Sequence, residues 1–278
     1  MRTDKQVHTA PGTELVRRLA SDGLRIFTTA QARERAPSAG LSAGYFRQAL
    51  HHLANSGWIV RLRNGLYALS PTVPGATPAH EFEIAMALAD RAAISHWSAL
   101  HHHGLTEQAP RKVFVLTTTE SRVPRADGPR AEAVGKGHRI GDGIYQFIQV
   151  GAERFFGTQD VWVGDARVTI TDPERTLIDG LCRPRYCGDF AEVIHAFGVL
   201  GNRLDVERIV AYALNINAAT VKRLGWVLEE QGVDSARLER LARLPVKGYR
   251  TLDPSGPRKG PCNRRWMIQE NLPGRTRT

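Results

Sequence analysis

The stretch WIVRLRNGLYAL, residues 58–69, predicts two short strands joined by a tight turn. Asn64-Gly65 is a strong signal for a two-residue type I′ turn, in which both central residues adopt positive φ. With that loop length, the expected cross-strand pairs are Arg63 with Leu66, Leu62 with Tyr67, Arg61 with Ala68 and Val60 with Leu69. Alternation then places one set of side chains toward the rest of the domain: Trp58, Val60, Leu62, Tyr67 and Leu69. Arg61 and Arg63 share the other face.

The two arginines need an explanation beyond the hairpin itself. Like charges on one strand repel each other weakly and add nothing to folding. A polyanion such as a phosphate backbone would be a natural partner for them. The alternative is that they serve only solubility.

The segment before the hairpin, residues 41–57, predicts a helix with Ser42 as its N-cap and residues 55–57 as its stop. Phe46, Leu50 and Leu53 fall at i, i+4 and i+7 and form an apolar stripe. The opposite stripe is small and polar, and consists of Gly44, Arg47, Gln48 and His51.

This division suits a helix that packs on its own domain and reads base edges with its other face. Arg47 can donate two bonds to a guanine edge, and Gln48 can pair bidentately with an adenine edge. We therefore predict base readout by Gly44, Arg47, Gln48 and His51. We predict phosphate contacts from Ser42, Tyr45, Arg61, Arg63 and Asn64. The alternative is an amphipathic surface helix with a solvated polar face.

Two more helices precede this one. Leu15, Val16 and Leu19 form the apolar face of a first helix over residues 12–21, and Thr28 with Gln31 fits a capping box at the start of a second. Three helices followed by a hairpin form a winged helix-turn-helix pattern.

The fold class that the sequence predicts is α+β. The Pro/Gly/Thr-rich stretch PTVPGATP, residues 71–78, is typical of a linker. We predict a winged helix-turn-helix domain over residues 1–75 and a larger mixed α+β domain over residues 76–278, with a basic tail from about residue 245. Helices and strands alternate in the larger domain without the regular βαβ order of a Rossmann sheet.

The net charge of +10 is concentrated at the two ends of the 278-residue chain. Residues 1–75 hold ten Lys/Arg against four Asp/Glu, and residues 243–278 hold nine against two. In the tail, Trp266 stands beside several cations, namely Arg258, Lys259, Arg264 and Arg265. Such a composition can grip a phosphate backbone and stack Trp266 on a base, so we predict an auxiliary nucleic-acid surface there. The alternative is a basic, partly ordered extension that covers the domain.

Neither a membrane segment nor a leader peptide is expected. No apolar run reaches the ~18 residues that a membrane span needs. The first twelve residues, MRTDKQVHTAPG, lack the apolar core of a signal peptide, so a cytoplasmic protein is expected.

Enzymatic motifs are not evident in the sequence. It contains neither GxxxxGK[ST] nor GxSxG. The run His101-His102-His103 cannot converge on one ion, because consecutive helical residues point about 100° apart, and His96 is too distant to complete such a site. Asp160, Asp165 and Asp172 lack the nearby lysine of a nuclease centre. We expect no catalytic residues, no metal and no cofactor.

Several blocks resemble one known family: GWIVRLRNGLYAL, ISHWSALHHHGL, VTITDPERTLIDGLCRPRYCGDFAEVIHAF and GYRTLDPSGPRKGPCNRRWMIQEN. The chain resembles the AbiEi family of abortive-infection antitoxins and transcriptional repressors over most of its length. By position, Arg63, Gly65 and Tyr67 match the RxGxY pattern of the family's wing turn, and residues 172–179 match its DPERTLxD pattern. The latter block also has a physical interpretation of its own: a capped helix start with an Arg175–Asp179 ion pair at i and i+4.

The resemblance implies a winged helix that binds inverted repeats of double-stranded DNA in its own promoter and represses a type IV toxin–antitoxin operon for phage defence. It implies a second domain that assists repression and carries the antitoxin activity. The functional partner would be a nucleotidyltransferase-like toxin encoded next door, without a stable complex. Two alternatives remain open: a stand-alone regulator without a toxin, and an RNA-binding module that acts through the C-terminal domain.

Overall fold

A computed structural model describes residues 11–120 and 137–272. Residues 1–10, which form most of the segment used to judge a signal peptide, lie outside these ranges. So do the last two cations of the basic tail, Arg275 and Arg277. The N-terminal elements are α1 Pro11–Ser21, β1 Ile26–Thr28, α2 Thr29–Arg35, α3 Phe46–Asn55, β2 Ile59–Arg63 and β3 Leu66–Leu69. The strands form a sheet of order β1-β3-β2, so three helices and a small antiparallel sheet make a winged helix. The α+β class is confirmed.

Local signals decide most of these boundaries. The Thr28 hydroxyl accepts a bond from the Gln31 amide while the Gln31 side chain accepts from the Thr28 amide, which confirms the capping box at α2. The sequence interpretation missed β1, because three residues are too few to show an alternating pattern.

The predicted N-cap of α3 is wrong by one turn. The helix begins at Phe46, and residues 42–45 form a turn in which the Ser42 carbonyl accepts from the Tyr45 amide at 3.2 Å and the Phe46 amide at 3.1 Å. Gly44 lies in this turn, and glycine opposes helix extension through its conformational freedom. Ser42 still contributes, because its hydroxyl lies 3.4 Å from the Tyr45 amide.

The predicted register of the hairpin is also wrong beyond its first pair. Arg63 pairs with Leu66 as expected, but Arg61 pairs with Tyr67, because a β-bulge intervenes at Leu62. Only Gly65 of the turn has positive φ, at 75°, so the turn is not type I′. The extra residue places Ile59 and Arg61 on the same face of the sheet as Tyr67 and Leu69, so the orientation of β2 is the reverse of the predicted one.

Both faces of the small sheet are covered, which explains why simple alternation failed. Phe27, Ile59 and Leu69 pack on the three helices. Leu62, Leu66 and Ala68 pack instead into a core shared with the following domain. A strand buried on both faces does not show the in–out pattern of a half-exposed strand.

The remaining elements are α4 Glu81–Leu88, β4 Ala92–Ile94, α5 His96–His102, β5 Val113–Thr118, β6 His138–Ile140, β7 Gly143–Val150, β8 Thr158–Val163, β9 Ala166–Thr171, α6 Pro173–Cys182, α7 Phe190–Leu200, α8 Val206–Leu214, α9 Ala218–Glu230, α10 Ser235–Arg243, β10 Arg250–Thr251, β11 Cys262–Asn263 and β12 Ile268–Gln269. A six-stranded mixed sheet has the order β6-β7-β5-β4-β9-β8. A three-stranded sheet of order β10-β12-β11 follows the helical part.

The winged helix and the second domain are in direct contact. Residues 70–80 contain neither helix nor strand, and the domain boundary near residue 75 stays a prediction. Across it, the Arg25 guanidinium lies 3.4 Å from the Glu83 carboxylate of α4 and 3.9 Å from Asp165 in the β8–β9 turn. This half-buried arginine and the shared apolar core hold the wing sheet against the second domain.

Candidate nucleic-acid interface

The predicted contact residues of the winged helix all lie on the protein surface. The residues predicted to read bases are all exposed, namely Gly44, Arg47, Gln48 and His51. The residues predicted to contact phosphates are exposed as well, namely Ser42, Tyr45, Arg61, Arg63 and Asn64. Helix α3 presents Arg47, Gln48 and His51 because Phe46, Leu50 and Leu53 are buried on its other face, as the sequence predicts. The Arg33 guanidinium lies over the Phe46 ring at 5.4 Å and covers the start of the helix.

Some of the polar side chains on α3 are already paired with each other. His51 lies 3.0 Å from the Asn55 amide nitrogen, and Gln48 lies 3.5 Å from His52. Within residues 11–120 and 137–272, the Arg47 guanidinium has no hydrogen-bond or ion-pair partner. An arginine in this state can form a bidentate contact without first breaking an internal bond.

The wing tip carries the second cationic group. The Arg61 guanidinium donates to the Asn64 side-chain oxygen at 3.2 Å, which positions both residues at the turn. Arg63 is exposed, and no acid in the described ranges pairs with it. The wing tip, which follows α3 in the chain, therefore presents two positive charges. Because of the bulge at Leu62, the two arginines do not share one face of the strand as simple alternation predicts.

The basic tail divides into two parts. Arg258, Lys259 and Arg264 are exposed. Arg265 is half-buried and forms ion pairs with Glu229 at 3.1 Å and Glu239 at 3.8 Å.

The predicted stacking of Trp266 on a base is wrong. Its side chain is 0% exposed, packs against Gly225 and donates its indole N–H to Glu229. Gly225 lies on α9, where only a glycine leaves room for the indole ring. At Trp266 the tail covers the helical core, as the alternative of an extension that covers the domain expects.

The histidines near α5 serve different local roles. His103 lies 2.7 Å from the Thr171 carbonyl, and His96 lies 2.9 Å from the Ser95 hydroxyl. Among the residues that the structure describes, no group of three or more His, Cys, Asp or Glu side chains could hold a metal ion.

His96 combines burial with backbone strain. It is buried and adopts φ of 49°, a conformation rare for a non-glycine residue. Burial lowers the pKa of His96 to about 4; Asp179 opposes this shift, and Arg183 and Arg175 add to it.

We expect His96 to make folding sensitive to acid. Because its folded pKa lies below the usual 6.5, the unfolded chain binds a proton first as the pH falls, and stability is lost between about pH 6.5 and pH 4. From about pH 7.5 to about pH 5 this loss should be about 2 kcal/mol. His96→Asn, which tolerates the same backbone conformation, should show a smaller loss in urea unfolding curves. Equal losses of stability in the two proteins would contradict the assignment of this acid sensitivity to His96. Burial also lowers the pKa of His103, and because both proteins contain His103, its contribution is the same in both.

The block DPERTLID forms a buried polar junction. The Asp172 side chain accepts from the Arg175 amide at 2.7 Å and caps α6, and it also accepts from the Tyr212 hydroxyl at 2.8 Å. The predicted Arg175–Asp179 ion pair is confirmed at 3.0 Å, with Arg175 only 1% exposed.

The same arginine joins α6 to the loop before β8. It donates to the carbonyls of Arg154 at 2.8 Å and Phe156 at 2.9 Å, and its guanidinium lies 4.3 Å from the centre of the Phe156 ring. The Nε and Nη1 groups of this side chain are thus bonded within the protein, which agrees with the structural interpretation of the block.

The fold and the exposed helix face define a winged-helix protein with an attached α+β domain. Residues 14–70 match the model of a family described as "Transcriptional regulator, AbiEi antitoxin". The match confirms the resemblance to the AbiEi family over the winged helix, and it supports a role as a transcriptional regulator or antitoxin.

Two further comparisons concern the whole chain. A crystal structure of the RV2827C protein from Mycobacterium tuberculosis aligns with a TM-score of 0.70 at 16% sequence identity, covering 93% of this chain and 90% of that one. At this identity the likeness establishes a shared fold. No curated protein matches the sequence.

No helix in residues 11–120 or 137–272 is long and apolar enough to cross a membrane.

Proposed function

We propose that this chain is a sequence-specific DNA-binding autorepressor and the antitoxin of a type IV toxin–antitoxin operon, acting on inverted repeats in its own promoter. The observation that carries the proposal is Arg47 on the exposed face of α3, whose guanidinium has no partner among the described residues; the wing tip with Arg61 and Arg63 follows this helix in the chain. The match of residues 14–70 to a regulator and antitoxin family supports it. The C-terminal domain would assist repression and oppose the toxin.

Fluorescence anisotropy with labelled duplexes tests the DNA-binding half. The chain should bind the region upstream of its own gene more tightly than a scrambled duplex of equal length. A structured RNA of similar charge serves as competitor, because an RNA-binding module is the second candidate. Preference for the RNA would overturn the proposal.

Arg47 should contribute specificity rather than general affinity. Arg47→Ala is expected to relax the preference at one base position by about tenfold, since a bidentate arginine–guanine contact is worth roughly 1–3 kcal/mol of discrimination. Binding to non-specific duplex should change little. The measurement is a panel of duplexes with single base-pair changes; an unchanged preference at every position would remove Arg47 from base readout.

The antitoxin half has its own experiment. Co-expression with a nucleotidyltransferase-like protein encoded beside this gene should restore growth that the toxin alone arrests. A variant without operator binding, such as Arg47→Ala with both wing arginines replaced, separates rescue from repression. Failure of the wild-type chain to restore growth would leave a stand-alone regulator.

A further inference from the structure

The outer edge of the six-stranded sheet has an unusual composition. Strand β8, TQDVWV, pairs with β9 on one side in continuous register from Thr158–Thr171 to Val163–Ala166. Within the described ranges no strand pairs with its other side. It contains no proline, no lysine and no bulge, the features that usually protect an exposed edge from association. The opposite edge, β6, has only three residues.

An exposed aromatic side chain marks the same edge. Trp162 is 70% exposed, more than any other large hydrophobic residue in the described ranges. Asp160 lies two residues before Trp162, on the same face of the sheet. Its carboxylate binds the Arg167 guanidinium at 2.8 Å and the Thr169 hydroxyl at 2.8 Å. The charge at the edge is therefore already balanced, and it does not repel an approaching strand.

The hydrogen-bonding register of the β8–β9 hairpin determines which backbone groups of β8 point away from β9. The two-residue loop places Gly164 first, with φ of 57°, as in a type II′ turn. In such a hairpin the closing pair Val163–Ala166 exchanges both backbone bonds. Because the pattern alternates, the N–H and C=O groups of Thr158, Asp160 and Trp162 point away from β9 and are available to another strand.

We propose that a second copy of this chain pairs with β8 in antiparallel orientation, about a two-fold axis at Asp160. Thr158 of each copy then lies opposite Trp162 of the other, so all three outward residues take part in the ladder. The indole covers the backbone of the facing strand and the nearby threonines.

The second copy fits this edge better than an unrelated chain because the edge is its own complement. A two-fold axis makes every contact occur twice, as in an isologous dimer. The Arg167 side chain of each copy can reach the Asp160 carboxylate of the other, so two internal ion pairs become a ring of four charges. The proposal is independent of DNA binding; if both hold, one dimer carries two recognition helices.

Sedimentation velocity across a concentration series tests the proposal. The wild-type chain should move from monomer to dimer as concentration rises. Trp162→Lys should raise the dissociation constant at least about tenfold, since a tryptophan that becomes buried in an interface is often a hot spot. Tyr249→Lys is the matched control, because Tyr249 is also exposed, at 44%, but lies outside the large sheet.

A second variant protects the test against a misfolded mutant. Asp160→Pro removes an outward N–H without removing a backbone bond to β9, although it also removes the carboxylate that binds Arg167 and Thr169. It should abolish dimerisation while circular dichroism stays unchanged. A wild-type chain that is monomeric throughout, or a dimer that persists in both variants, would overturn the proposal. A monomeric Trp162→Lys protein that still binds one half of the operator would keep the proposed function intact.

Discussion

Replacing Arg61 and Arg63 together by serine should weaken binding to every duplex, matched or scrambled. Each arginine on a phosphate releases condensed counterions, so losing both should flatten the slope of log K against log salt by about 1.8 units. At about 0.1 M salt that corresponds to a loss on the order of 60-fold in affinity. The preference between sequences should stay nearly constant, because phosphate contacts carry no base information.

A matched control separates the effect of the position of the two wing arginines from the effect of the lower net charge. Arg203 and Arg240 are exposed arginines of the helical part of the second domain, and replacing both by serine lowers the net charge by the same amount. We expect that double variant to change affinity much less than the wing variant. Equal losses in the two proteins would mean that the wing acts only through net charge.

The structure refines this expectation at one residue. Arg61 is held by Asn64 at 3.2 Å, whereas Arg63 has no such partner among the described residues. Ordering a free arginine on a phosphate costs side-chain entropy, which a preordered arginine has already lost. Arg61 and Arg63 can therefore contribute unequally even though both lie at the wing tip.

Features set by neighbours within one or two turns of chain could be predicted from the sequence. The Arg175–Asp179 pair follows from i, i+4 spacing, and the buried face of α3 follows from its apolar period. Strand β7, residues 143–150, also follows from the local sequence, because its residues are strongly β-forming between glycine and turn signals. These features depend on local geometry.

Features set by distant partners could not be predicted. The wing register depends on a bulge at Leu62 that lets Leu62 and Leu66 enter the core of the second domain. Trp266 was assigned to the surface because cations flank it, but its ring packs on Gly225, 41 residues earlier in the chain. In both cases the local pattern is compatible with exposure, and only the tertiary contact decides.

Replacing Arg175 should produce the largest loss of stability among these variants. Arg175→Met keeps the length of the side chain but leaves the Asp179 carboxylate without its cation, in a site where its second oxygen already lacks a partner among the described residues. It also removes the donor to the Arg154 and Phe156 carbonyls. Breaking a buried ion pair in this way typically costs roughly 3–5 kcal/mol.

Two comparisons decide whether the effect comes from burial. Arg243→Met breaks an ion pair of the same i, i+4 spacing, at 2.8 Å to Glu239, but on a side chain 79% exposed, and it should cost at most ~1 kcal/mol. The double variant Arg175→Met, Asp179→Leu should be more stable than Arg175→Met alone, because the unpaired charge is gone. The measurement is urea unfolding at neutral pH, with growth rescue in parallel. If Arg175→Met unfolds like wild type yet abolishes rescue, Arg175 acts in the antitoxin function rather than in holding α6 to the loop before β8.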